Sequence, residues 1–79
     1  MKYKIREVLR KKLSEELVID IEEIPNDYAL IAAGIDSINV VLLIISLEEE
    51  FGIEFPEEVI NGESFSTINE IEKTINRFI

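Results

Sequence analysis

A chain of 79 residues, 47% hydrophobic and with a formal net charge of −9, suits one small domain near the lower size at which a core holds without staples. It contains no cysteine and no histidine, which excludes a disulfide framework, a thiolate zinc site, and the commonest general base and metal ligand. Sixteen of the seventeen acids and none of the eight bases lie between residues 13 and 72, a surface that repels nucleic acid and anionic lipid and favours basic partners.

The start, Met1-Lys2-Tyr3-Lys4-Ile5-Arg6, is basic, but Glu7 and Arg10-Lys11-Lys12 follow where a signal peptide needs an apolar stretch. The longest apolar run, Val40 to Ile45, is too short to span a bilayer. The expectation is one soluble, cytoplasmic, monomeric domain covering residues 1–79, bound to neither nucleic acid nor membrane. The first helix is predicted from about Tyr3 to Leu17, with Ile5, Val8, Leu9, Leu13 and Leu17 at the spacing of one buried stripe. From Val18 to Ile35 there is no sustained period, and Pro25-Asn26-Asp27 and Gly34 predict a long loop. Ile19, Ile21, Ile24, Tyr28, Leu30 and Ile31 are expected to pin that loop to the core. Loops of this length in small domains are often functional.

The second helix is predicted from Ser37 to Glu50 or Phe51. Val40 to Ile45 alone reads equally as a buried strand. Helix is favoured by Asp36 as an N-cap, by Leu47 and Phe51 continuing the period, by Glu48-Glu49-Glu50, and by Gly52 as a stop. Pro56 to Gly62 predicts a short third helix with proline at its first position and glycine past its end. Thr67-Ile68-Asn69-Glu70 has capping-box spacing and opens a fourth helix that buries Ile68, Ile71, Ile75 and Phe78. The fold class is therefore all-α: a four-helix bundle of three longer helices and one short third helix, with a long loop between the first two.

The second helix has apolar residues all round. Val40, Leu43, Ile44, Leu47 and Phe51 form the core side, while Ile38, Val41, Leu42 and Ile45 cluster nearly opposite. Either the rest of the chain covers that second stripe or it docks a partner beside Ser37. Ser37 itself sits at the junction of a glycine-containing loop and this helix, with no neighbour able to activate it. By position alone it is an ordinary first-turn serine; as a hydroxyl held out to another protein it is a modification site.

The run Gly34-Ile35-Asp36-Ser37-Ile38 resembles the Gly-x-Asp-Ser-Leu signature of acyl and peptidyl carrier proteins. Leu47-Glu48-Glu49-Glu50-Phe51-Gly52-Ile53-Glu54-Phe55-Pro56 is similar to the segment that follows it there, and the likeness spans essentially the whole chain. The resemblance implies that the Ser37 hydroxyl receives 4′-phosphopantetheine from coenzyme A through a magnesium-dependent phosphopantetheinyl transferase. The arm's thiol then holds acyl or aminoacyl intermediates as thioesters. It implies that Asp36 assists the transferase near its metal, besides capping the helix. Ile38, Val41, Leu42 and Ile45, with Glu48 and Glu49, are then the contact face for loading and condensing enzymes with basic or apolar docking surfaces. No catalytic residue and no metal site of its own are expected, and the chain is a substrate of its partners rather than an enzyme.

Two departures bear on the pathway. Carriers of fatty-acid synthesis usually have acids two and five residues after the serine, where this chain has Asn39 and Leu42. That points to a stand-alone carrier of a dedicated polyketide or nonribosomal peptide pathway, with general fatty-acid synthesis as the alternative. Ala33, where a bulkier residue is common, predicts a looser loop before Gly34. Outside the resemblance, an unmodified acidic interaction module is the competing class. Calcium binding is disfavoured because Asp20, Glu22, Glu23 and Asp27 lack EF-hand spacing and its central glycine.

Overall fold

The computed structural model describes every residue, Met1–Ile79. Helix α1 (Lys2–Leu13) forms on the predicted stripe: Ile5, Val8, Leu9 and Leu13 are all buried. Arg10, Lys11 and Lys12 lie in its last turn, where the helix dipole favours cations. The helix stops four residues short of the predicted end. The Glu16 N–H returns to the Leu13 carbonyl in a turn, and the Val18 N–H donates to the Ala33 carbonyl at 2.8 Å. A tertiary bond to the far end of the loop has displaced the last helical turn, and Leu17 is half-buried beyond it.

The long loop is more ordered than its lack of period suggests. It contains one 3-10 turn, Ile21–Glu23, capped by the Asp20 carboxylate accepting from the Glu22 N–H. Ile21, Ile24 and Leu30 are buried, and Ile19 and Tyr28 pack partly against the core. Arg6 on α1 supplies the bonds that the loop lacks internally. Its guanidinium donates to the carbonyls of Ile21 (2.7 Å) and Ile24 (2.8 Å) and to Asn26 Oδ1 (2.6 Å).

Ile31 departs from the expectation that it pins the loop: it is 78% exposed. The N–H groups of Ala32, Ala33 and Gly34 each bond three residues back, to Ala29, Leu30 and Ile31. That spacing turns Leu30 and Ala33 inward together and leaves Ile31 outside. Ala33 has no exposed surface, so the small residue makes this corner tight rather than loose. Gly34 is required there. Its φ is +111°, and a Cβ would lie 2.1 Å from the Glu16 carbonyl oxygen.

Helix α2 (Ser37–Phe51) ends at Gly52, which adopts the left-handed conformation (φ +64°) and bonds back to the Glu48 carbonyl. The predicted third helix is instead a single 3-10 turn, Glu57–Val59, preceded by Pro56 rather than opened by it. The Val59 and Ile60 N–H groups bond three residues back, and the Asn61 side chain accepts from the Ser64 N–H at 2.8 Å. The side-chain bond replaces the helical one, so no α-helix continues. Helix α3 (Ile68–Asn76) buries Ile68, Ile71 and Ile75. Thr67 caps it by accepting from the Glu70 N–H at 3.0 Å, but the reciprocal half of the box is absent and Glu70 pairs with Lys73 instead. Phe78 lies just past the helix, half-buried, edge-on to Phe55, which is edge-on in turn to Phe65.

The architecture is therefore three α-helices and two 3-10 turns, with no strand, rather than four helices. Helix α1 packs against both α2 and α3. Two backbone bonds tie the long loop to the start of α3, Leu30 N–H to the Ser66 carbonyl and Asn69 N–H to the Asn26 carbonyl, each 2.9 Å. No helix is long and apolar enough to cross a membrane.

Candidate functional site

Ser37 is the first residue of α2 and is exposed. Its position is set from both sides. Asp36, with extended backbone, accepts through Oδ1 from the N–H groups of Ile38 (3.0 Å) and Asn39 (2.8 Å). Asn39 returns the bond, its Oδ1 accepting from the Asp36 N–H at 3.2 Å. This is a complete capping box built on Asp and Asn, and it satisfies amides that a helix start otherwise leaves open. The Ser37 hydroxyl makes no hydrogen bond inside the chain, and neither does Asp36 Oδ2.

Two shallow clefts open beside Ser37, each about 240 Å³. One lies toward Ile31, Ile35 and Phe65, the other toward Val41, Ile44 and Ile60; Val40 and Gly62 border both. A Cβ at Gly62 would meet nothing within 4 Å, so the clefts are open at that border. A larger concavity of about 350 Å³, around Arg10, Leu17 and Ile21, shares no residue with these clefts. Its one hydroxyl, Ser14, follows the end of α1 and has no cap or cleft of the kind that frames Ser37.

The two faces of α2 separate as the spacing predicts. Leu43, Ile44 and Leu47 are buried, with Val40 and Phe51 half-buried on the same side. Ile38 is 78% exposed, Val41 57%, Leu42 42% and Ile45 48%. The rest of the chain does not cover the second stripe. Ile31 and Ile60, 78% and 46% exposed, extend it on either side of Ser37. Nothing in their local sequence signals that role; both lie outside any regular period and are turned outward by three-residue backbone turns.

The acids at the far end of α2 divide. Glu49 is exposed, whereas Glu48 is half-buried and its carboxylate accepts from the Phe55 N–H at 2.8 Å. Glu48 thus closes the chain reversal after Gly52, and Glu49 is the one of the pair free on the surface. From Ser37 to Glu49 is about 18 Å along the axis at 1.5 Å per residue. Among the residues lining the two clefts the only acid is Asp36, already bonded to the helix start. The Asp-x-x-Asn spacing of 36 and 39 was the available signal for the box, and it is legible in the sequence once Asn is admitted as the acceptor.

Residues 7–75 match the phosphopantetheine attachment site family. The chain is 39% identical over 71 residues to the aminoacyl carrier protein of Agrobacterium fabrum (strain C58 / ATCC 33970), covering 90% of this chain and 83% of that protein. Its fold overlays, with a TM-score of 0.89 and 37% identity over 96% of both chains, on a chain in the crystal structure of an engineered Bradyrhizobium japonicum glycine:[carrier protein] ligase complexed with the carrier protein from Agrobacterium tumefaciens and ATP. A chain in the structure of the Bradyrhizobium japonicum ligase with its cognate carrier protein and an analogue of glycyl adenylate shares the fold (TM-score 0.82, 96% and 95% covered) at 22% identity.

Proposed function

This chain belongs to the phosphopantetheine attachment family of carrier proteins, and on that premise we propose that Ser37 bears the arm and that the cargo is an aminoacyl group. The observation that carries the reading is Ser37 itself: an exposed hydroxyl with no internal partner, at a helix start held on both sides. The open space above Gly62 and the clefts beside the serine fit a bulky substituent leaving the surface there. The family's covalent group, 4′-phosphopantetheine, supplies the terminal thiol that a chain without cysteine lacks.

Attachment is a phosphoryl-group transfer. The Ser37 oxygen bonds to the phosphorus that joins pantetheine to the nucleotide of coenzyme A. The phosphoanhydride breaks, adenosine 3′,5′-bisphosphate leaves, and the hydroxyl proton passes to a base on the transferase. Asp36 Oδ1 is occupied by the helix start, so the Asp36 carboxylate would meet the transferase's magnesium, which supplies charge stabilisation for the phosphoryl transfer, while still capping α2. Ile38, Val41, Leu42 and Ile45 form the docking face, with Glu49 as its distant acidic mark. The chain is a substrate of partner enzymes, not a catalyst.

The aminoacyl cargo is supported by the relative named an aminoacyl carrier protein and by the ligase complexes of the similar carriers. An ATP-dependent amino acid ligase is accordingly the loading partner. Asn39 and Leu42, in place of carboxylates, favour a dedicated pathway of the polyketide or nonribosomal peptide kind over general fatty-acid synthesis. The test is intact mass after incubation with coenzyme A, magnesium and a broad-specificity phosphopantetheinyl transferase. One arm should add to the wild type and none to Ser37→Ala, with the circular dichroism of the two alike. No adduct under conditions that load a control carrier leaves an unmodified interaction module. Charging of the arm by the engineered glycine ligase with ATP then tests the cargo.

A further inference from the structure

We propose that Asn39 is a positioning residue for the Ser37 hydroxyl, an inference that rests on Ser37 being the attachment residue. Position 39 reads in the sequence as a docking carboxylate replaced by an amide, yet its carbonyl oxygen is bonded to the Asp36 N–H within the chain. Asp36 in turn holds the N–H groups of Ile38 and Asn39. Of the two residues enclosed by this reciprocal pair, Ser37 is the one with a polar side chain, and that side chain is unbonded.

Helix starts fray because their first N–H groups have no helical partner. Fraying at Asp36 and Ser37 spreads the hydroxyl over many directions, and only a fraction of these suits in-line attack on phosphorus. The Asn39 bond removes that spread. Being neutral, Asn39 does so without placing a second charge beside the exposed Ile38, Val41 and Leu42. Its contribution is therefore to the orientation of the reacting oxygen and not to contact with the transferase.

Steady-state kinetics of arm transfer from coenzyme A, with the broad-specificity transferase and the full chain, separate these roles. Asn39→Ala loses the acceptor; kcat is expected to fall about three- to tenfold while KM stays within about twofold, since the docking face is untouched. Asn39→Asp keeps an acceptor of the same length at the same position and should restore kcat to within about twofold of wild type. Unchanged kcat in Asn39→Ala overturns the proposal, as does a loss confined to KM. Asn39→Asp as slow as Asn39→Ala, at low and at high salt alike, also overturns it, because with the added charge screened an acceptor oxygen at position 39 is then not what orients the serine. Wild type that takes no arm is a separate failure: it removes Ser37 as the attachment residue, and this inference with it.

Discussion

At Gly34, one backbone angle decides whether the serine loop can close. The residue sits at φ +111° against the Glu16 carbonyl, where a side chain meets both torsional strain and a main-chain atom that cannot move away cheaply. Gly34→Ala should therefore cost about 3 kcal/mol in a urea unfolding experiment. Gly62→Ala, in open space and without positive φ, should stay within about 0.5 kcal/mol. Equal effects at the two positions would discount the close approach as the reason for glycine. At this scale much was legible beforehand. Asp36 as the cap follows from residue type and position, because capping is a local interaction over three residues, whereas Ser37 stands out from an ordinary first-turn serine only through the family resemblance around it. The need for glycine at 34 was visible only as a turn signal. The atom it avoids comes from Glu16, eighteen residues earlier, and no local pattern encodes that.

Helix α2 shows what periodicity can and cannot settle. Its two apolar sides were separable from the sequence, because the angle between residues on a helix is fixed. Which side stays uncovered depended on whether the long loop wraps it, and the loop does not. Leu42, 42% exposed in the middle of that stripe, is the position where a carboxylate would change partner chemistry most. An enzyme that docks an arginine there finds only apolar surface, and burying the unpaired charge is unfavourable. Leu42→Glu in the arm-bearing protein should raise turnover by fatty-acid elongation enzymes about three- to tenfold, equivalent to gaining one ion pair at a docking surface. An unaltered protein that already supports elongation as well as a fatty-acid carrier would defeat the dedicated-pathway reading. The shorter elements were less legible. The segment after Pro56 has every helical start and stop signal, yet the Asn61 side chain and two three-residue bonds close it after one 3-10 turn. Side chains of asparagine compete with helical bonding in this way, and propensity alone does not show which bond wins.

Across the whole molecule, α1 and α3 are joined through the loop rather than only through their apolar stripes. Arg6 on α1 binds the carbonyls of Ile21 and Ile24, Asn26 accepts from Arg6 with its side chain, and the Asn26 carbonyl accepts from Asn69 on α3. Leu30 adds a second link, to Ser66. Arg6→Met keeps most of the aliphatic stem but leaves those carbonyls to water. The expected loss is about 1–2 kcal/mol by thermal or urea unfolding, because the bonds are charge-assisted but half-exposed. Amide hydrogen exchange should speed up most between residues 20 and 26, and an effect spread evenly over the chain would argue against a clamp. The sequence by itself determined the helical class, the Asp36 cap of α2 and the division of that helix into two faces, since each rests on spacing within a few residues. Only the folded structure decided that the loop is clamped by Arg6, that Ile31 and Ile60 face outward beside Ser37, that the third helix shrinks to a turn, and that Glu48 serves the Phe55 backbone. Each of those outcomes depends on a bond or close contact formed only once the chain is folded, and periodicity carries no record of which partner an unpaired N–H or carbonyl will find.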